Sequence, residues 1–163
     1  MVLRSWWILL ASSLSVASAA SAQTAPSAFV ALGGDWAGEG TLFDRPARFT
    51  MRWAVRNGFA LLEFTNGHVD PRDDLTPVLR AAAVYRTDPA RPEGVWLDSR
   101  GVRLELSWEA SDSALVATWT APTETGRTTY RIRPGGDVHV VDEVLSGNEW
   151  RTFGTAALRR SPS

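Results

Sequence analysis

The chain has no cysteine and no lysine among its 163 residues. Lacking cysteine, it has no disulfide framework, no thiolate ligand for a metal and no N-terminal cysteine to carry a lipid anchor, although export would permit disulfides. Lacking lysine, it draws all 17 of its basic side chains from arginine, set against 18 acidic ones. That near balance excludes a general attraction to polyanions, so no nucleic acid partner is expected. Long hydrophobic runs are also scarce. The longest, from Trp6 to about Val16, falls short of the ~20 residues a spanning helix needs, which argues against a membrane anchor. With Arg4 before it and the small residues Ala20 and Ala22 ahead of Gln23, it reads as a secretory signal peptide covering residues 1–22. The expected localisation is therefore periplasmic or secreted. Residues 23–163 are one domain's worth of chain, with 16 basic and 18 acidic groups once Arg4 is removed.

Helical periodicity is nearly absent as well; a short turn over Ser27 to Leu32 is the one candidate. In its place are ten runs in which apolar and polar residues alternate with period two. They cover Trp36 to Phe43, Pro46 to Arg56, Phe59 to Asn66, Val78 to Thr87, Val95 to Ser99, Val102 to Glu109, Ala114 to Ala121, Arg127 to Arg133, Val138 to Leu145 and Glu149 to Arg159. Turn dipeptides and short loops separate them. The expected fold class is all-β, a single closed up-and-down antiparallel barrel of about ten strands.

Hairpin turns fix which residues oppose one another, and opposed residues share a face. A two-residue turn at Asn57-Gly58 sets Trp53 against Leu62, Met51 against Phe64 and Arg52 against Glu63, so apolar meets apolar and charge meets charge. A turn at Asp44-Arg45 sets Gly40 against Phe49 and Gly38 against Met51, glycines facing the bulkiest side chains of the next strand. Such glycines leave room for a neighbour's ring and let a strand bend sharply enough for a small barrel to close. Arg100-Gly101 sets Leu97 against Leu104 inside and Asp98 against Arg103 outside.

The stretch "LGGDWAGEG" resembles the start of the bacterial secreted lipocalin-like barrels of the calycin superfamily, whose first strand opens with Gly-x-Trp after a short helix. Here that is Gly34-Asp35-Trp36, with Gly38 and Gly40 following. More distantly the chain resembles the nitrobindin-type haem-binding barrels. The lipocalin-like resemblance implies an arginine after the last strand lying across the first-strand tryptophan, and "AALRR" offers Arg159 or Arg160; Arg159 is taken for the role. Nitrobindin-type barrels hold haem iron through a histidine on a late strand. The expected inward positions there, Trp150, Thr152, Gly154, Ala156 and Leu158, contain none, so haem is disfavoured and no cofactor is expected.

A turn at Gly135-Gly136 sets Tyr130 against Val141, Ile132 against His139 and Thr128 against Glu143. The next hairpin, through Gly147-Asn148, sets Thr152 against Glu143. One wall of the lumen would then carry Thr128, Tyr130, His139, Glu143 and Thr152. Tyr85, Trp119 and Trp150 would complete the candidate ligand site. A slip of one residue in the register would instead turn Glu143 out to solvent. The connection Gly67 to Pro77, with His68, Asp70, Asp73 and Asp74, is the candidate lid; its spacing lacks the glycine and terminal glutamate of a calcium loop. The expected function is non-enzymatic binding of a small hydrophobic or amphipathic molecule in the lumen. Two alternatives remain: an enzyme using Glu143 or His139 as general acid or base, and a barrel packed solid. No Ser-His-Asp order, phosphate loop or metal-ligand spacing is present, so no catalytic or metal-binding residue is assigned.

Overall fold

The computed structural model describes residues 24–69 and 75–162. The expected signal peptide and the acids Asp70, Asp73 and Asp74 lie outside the described residues. One short helix, α1 (Ser27–Leu32), precedes ten strands. These are β1 (Gly34–Leu42), β2 (Arg45–Arg56), β3 (Phe59–Val69), β4 (Leu75–Arg86) and β5 (Glu93–Asp98), then β6 (Arg103–Ala110), β7 (Ala114–Thr120), β8 (Thr125–Ile132), β9 (Val138–Ser146) and β10 (Glu149–Arg160). Every strand pairs antiparallel with its sequence neighbour, and β10 returns to β1, closing the barrel. Alternation and turn chemistry therefore predicted the strand number, order and closure correctly.

The interior has a packed end and an open one. At the end where β1 begins, α1 lies across the barrel and buries Ala28, Phe29 and Leu32 completely. The Phe29 ring lies 5.0 Å from Trp108, 5.7 Å from Tyr85 and 6.2 Å from Trp53, side chains from the ends of β6, β4 and β2. Aromatic rings at tilted and edge-on contacts gain beyond their area burial, so this layer is a cohesive plug. Trp36 donates its Nε1–H to the Leu32 carbonyl at 2.7 Å, tying the helix to β1.

The arginine over Trp36 is Arg160 rather than Arg159. Its guanidinium lies 4.5 Å from the indole centroid and donates to the carbonyls of Gly33 at 2.7 Å and Ala31 at 3.1 Å. Arg159 alternates to the outer face, exposed, with Asp137 at 3.9 Å. Leu158 points inward, and Arg160, two residues on, is the next side chain on that side of the strand.

Gly34 lies opposite Trp53 with φ +120° and packs under the Arg160 side chain. Gly38 and Gly40 act differently from the expectation. The β1–β2 turn is Phe43-Asp44, both at positive φ, so Gly38 opposes Phe49 and Gly40 opposes Ala47. That is a slip of two, which preserves the faces. A Cβ on either glycine would collide with a backbone carbonyl of β10, Ala157 for Gly38 and Thr155 for Gly40. These glycines allow the seam between the first and last strands to close.

Two other hairpins slip by one residue and share a cause. Between β8 and β9, Arg133 N–H donates to the Asp137 carbonyl, Gly136 has φ +86°, and Ile132 opposes Val138. Between β5 and β6, Asp98 N–H donates to the Val102 carbonyl, Gly101 has φ +80°, and Leu97 opposes Arg103. Both are three-residue loops closing on a left-handed glycine, where two-residue turns were expected. One residue of slip exchanges inside for outside. Trp96 thus faces the lumen, and Leu97 is 52% exposed.

Candidate functional site

At the end opposite α1 the barrel encloses a cavity of about 550 Å³. Its floor is Tyr85 and Tyr130, which point inward from β4 and β8, are buried, and share a hydrogen bond between their hydroxyls. Burial pushes both phenols well above the ordinary tyrosine range, so both stay neutral hydrogen-bonding groups. The walls are flat and apolar. Phe64 and Trp96 lie 5.8 Å apart on one side, with Leu106, Ala117 and Trp119 continuing round the lumen. A Cβ at Gly126 would fall within the Trp119 indole, so the glycine lets that ring lie against β8. Asp98, its side chain wholly buried, accepts from Trp96 Nε1 at 3.3 Å and from the Arg100 and Val102 amides, binding that ring to the loop below the rim. Burial alone would raise the Asp98 carboxyl, but the Arg100 side chain and these N–H donors outweigh it and hold it below the ordinary value. Phe43 and Phe153 stack 5.4 Å apart at the mouth.

The acidic group inside is Asp142, where Glu143 was expected. Thr128 opposes Asp142 and donates its hydroxyl to Oδ1 at 2.6 Å, while Oδ2 lies against Gly154 of β10. Burial raises the Asp142 carboxyl to about 6, partly offset by the Thr128 hydrogen bond. Asn66 faces the same cavity from β3, 5% exposed, with no hydrogen bond to its Oδ1.

Of the eight residues predicted to hold a ligand, Tyr85, Trp119, Thr128 and Tyr130 line this cavity. The other four are on the outside. Glu143 opposes Arg127 and pairs with its Nε at 2.6 Å. The same guanidinium covers Trp150 at 4.3 Å. Thr152 opposes Glu143 and is exposed. His139 is exposed, with Nδ1 3.3 Å from the Arg133 guanidinium. The three-residue loop before β9 accounts for His139 and Glu143. A bulge between Thr152 and Gly154 accounts for the rest, because it turns Trp150 and Thr152 out while Gly154, Ala156 and Leu158 stay inside. Sequence reasoning missed Asp142, Asn66 and Trp96. The signal available was the Pro134-Gly135-Gly136 run, with proline placed for a type I turn and glycine for the left-handed position.

The expected lid is shorter than the sequence suggested, since β3 reaches Val69 and β4 starts at Leu75, leaving residues 70–74 between them outside the described set. A haem held from a late strand does not fit these residues: the inward positions of β10 offer glycine, alanine and leucine, and His139 points away. Among the described residues no three His, Cys, Asp or Glu side chains are grouped to hold a metal ion.

No protein-family model matches the chain, and no curated protein matches it. Among solved structures it is similar to the crystal structure of Rv2717c from M. tuberculosis, with a TM-score of 0.62 and 19% sequence identity, over 86% of this chain and 100% of that one. The likeness shows the fold, a closed ten-stranded antiparallel barrel.

Proposed function

We propose that this is an exported protein that binds a small, mostly apolar molecule in its barrel lumen without transforming it. The observation that carries the reading is the cavity of about 550 Å³, walled by aromatic rings and floored by two neutral tyrosines. Its size falls in the range of pockets that enclose a small ligand, with few polar groups set among apolar ones. The packed layer around Phe29 accounts for stability at one end and leaves the other end hollow. General acid or base chemistry by Glu143 or His139 is disfavoured, since both stand outside the lumen and Glu143 is engaged by Arg127.

Because Trp96 and Trp119 line the cavity, an apolar probe entering it should quench tryptophan fluorescence saturably. Ala117→Phe adds a ring to the cavity lining, two residues deeper than Trp119 on β7, and should abolish the quenching while leaving the circular dichroism spectrum unchanged. Absence of saturable quenching across a broad set of apolar probes would overturn the reading. Export is tested separately: the N-terminus of the protein recovered outside the cytoplasm should be Gln23.

A further inference from the structure

Two polar side chains in the cavity, Asp142 and Asn66, present acceptor oxygens short of donors among the described residues. Asp142 presents a carboxylate whose partner among the described residues is the Thr128 hydroxyl, on Oδ1 alone. Among the described residues the nearby arginines are engaged by other acids: Arg127 pairs with Glu143 outside the barrel, and Arg100 and Arg103, which line the rim of the cavity, pair with Asp98 and Glu105. From the facing wall, four strands away around the barrel, Asn66 directs an Oδ1 that accepts nothing although the residue is 5% exposed. A buried acceptor without a donor is costly, and an ionised carboxylate in apolar surroundings more so. Both costs fall if the occupant brings N–H donors and a positive charge. Tryptophan rings lining the same cavity favour the same sign of charge.

We propose that the occupant of the lumen is an amphipathic amine, its protonated nitrogen held by the Asp142 carboxylate and its apolar body lying against Phe64, Trp96 and Trp119. The inference rests on the lumen-binding reading and specifies its ligand class. An alcohol of the same shape would offer one donor and no charge, and a carboxylic acid would bring a second anion against Asp142.

The test is isothermal titration calorimetry of the mature protein at pH 7.5 with octylamine, 1-octanol and octanoic acid, three probes sharing one chain. Octylamine should bind about tenfold or more tighter than 1-octanol, the difference expected of a charge-assisted hydrogen bond, and octanoic acid weakest. Asp142→Asn should bring octylamine to within about threefold of 1-octanol and leave 1-octanol unchanged. If that variant does not fold, the wild-type ranking decides alone. Equal binding of octylamine and 1-octanol, tightest binding of octanoic acid, or an amine preference surviving Asp142→Asn would overturn the amine assignment while leaving lumen binding intact. Failure of all three probes to bind would overturn both.

Discussion

Replacing Asp142 by asparagine should make the protein more stable above neutral pH. In the folded chain burial raises this carboxyl from the ordinary 3.8 to about 6. Between those values the native state holds a proton that the unfolded chain releases, so the contribution of Asp142 is full below about pH 4 and is lost as pH rises through about 6. At ~1.4 kcal/mol per unit, reduced because the side chain is half-buried and partly screened by solvent, ionisation at pH 8 costs the fold about 2 kcal/mol. Asparagine is nearly the same size, can still accept from Thr128 and carries no charge. Wild type and Asp142→Asn should therefore unfold at similar urea concentrations at pH 4. By pH 8 the variant should be ahead by about 2 kcal/mol, read from tryptophan fluorescence during urea denaturation. Asp98, whose carboxyl is shifted the opposite way, is present in both proteins and cancels in the difference. A variant that is less stable than wild type at pH 8, or a difference that does not change with pH, would refute the upward shift of the Asp142 carboxyl in the folded chain.

Three further outcomes follow from the geometry. Arg160→Ala removes the cation over Trp36 and two hydrogen bonds to carbonyls and should cost about 1 to 2 kcal/mol in chemical denaturation, whereas Arg159→Ala, on the exposed face, should stay within about 0.5 kcal/mol. Gly40→Val places a side chain into the β10 backbone and should prevent closure, seen as loss of soluble folded protein; a variant with wild-type melting behaviour would contradict the close seam. Glu143→Gln weakens the outer pair with Arg127 and should leave probe binding in the lumen unchanged by fluorescence titration.

Period-two alternation, near-absence of helical windows and the turn residues between runs were enough to read ten strands, their order and the short helix at Ser27–Leu32, because local backbone preference and hydrophobic pattern agree along this chain. The Asn57-Gly58 hairpin was legible residue by residue. The faces of β5 and β9 were not, because a loop of two residues and one of three draw on the same Gly-containing dipeptides, and their difference inverts a strand. In β9 the adjacent acids Asp142 and Glu143 made either register plausible by composition. The register the loop sets is matched on the neighbouring strand β8, where Arg127 meets Glu143 outside and Thr128 meets Asp142 inside. The hollow itself was decided only by packing. An inventory of aromatic and small residues does not reveal that Phe29, Trp53, Tyr85 and Trp108 gather at one end and leave the other unfilled; that depends on where the helix lies across the closed barrel.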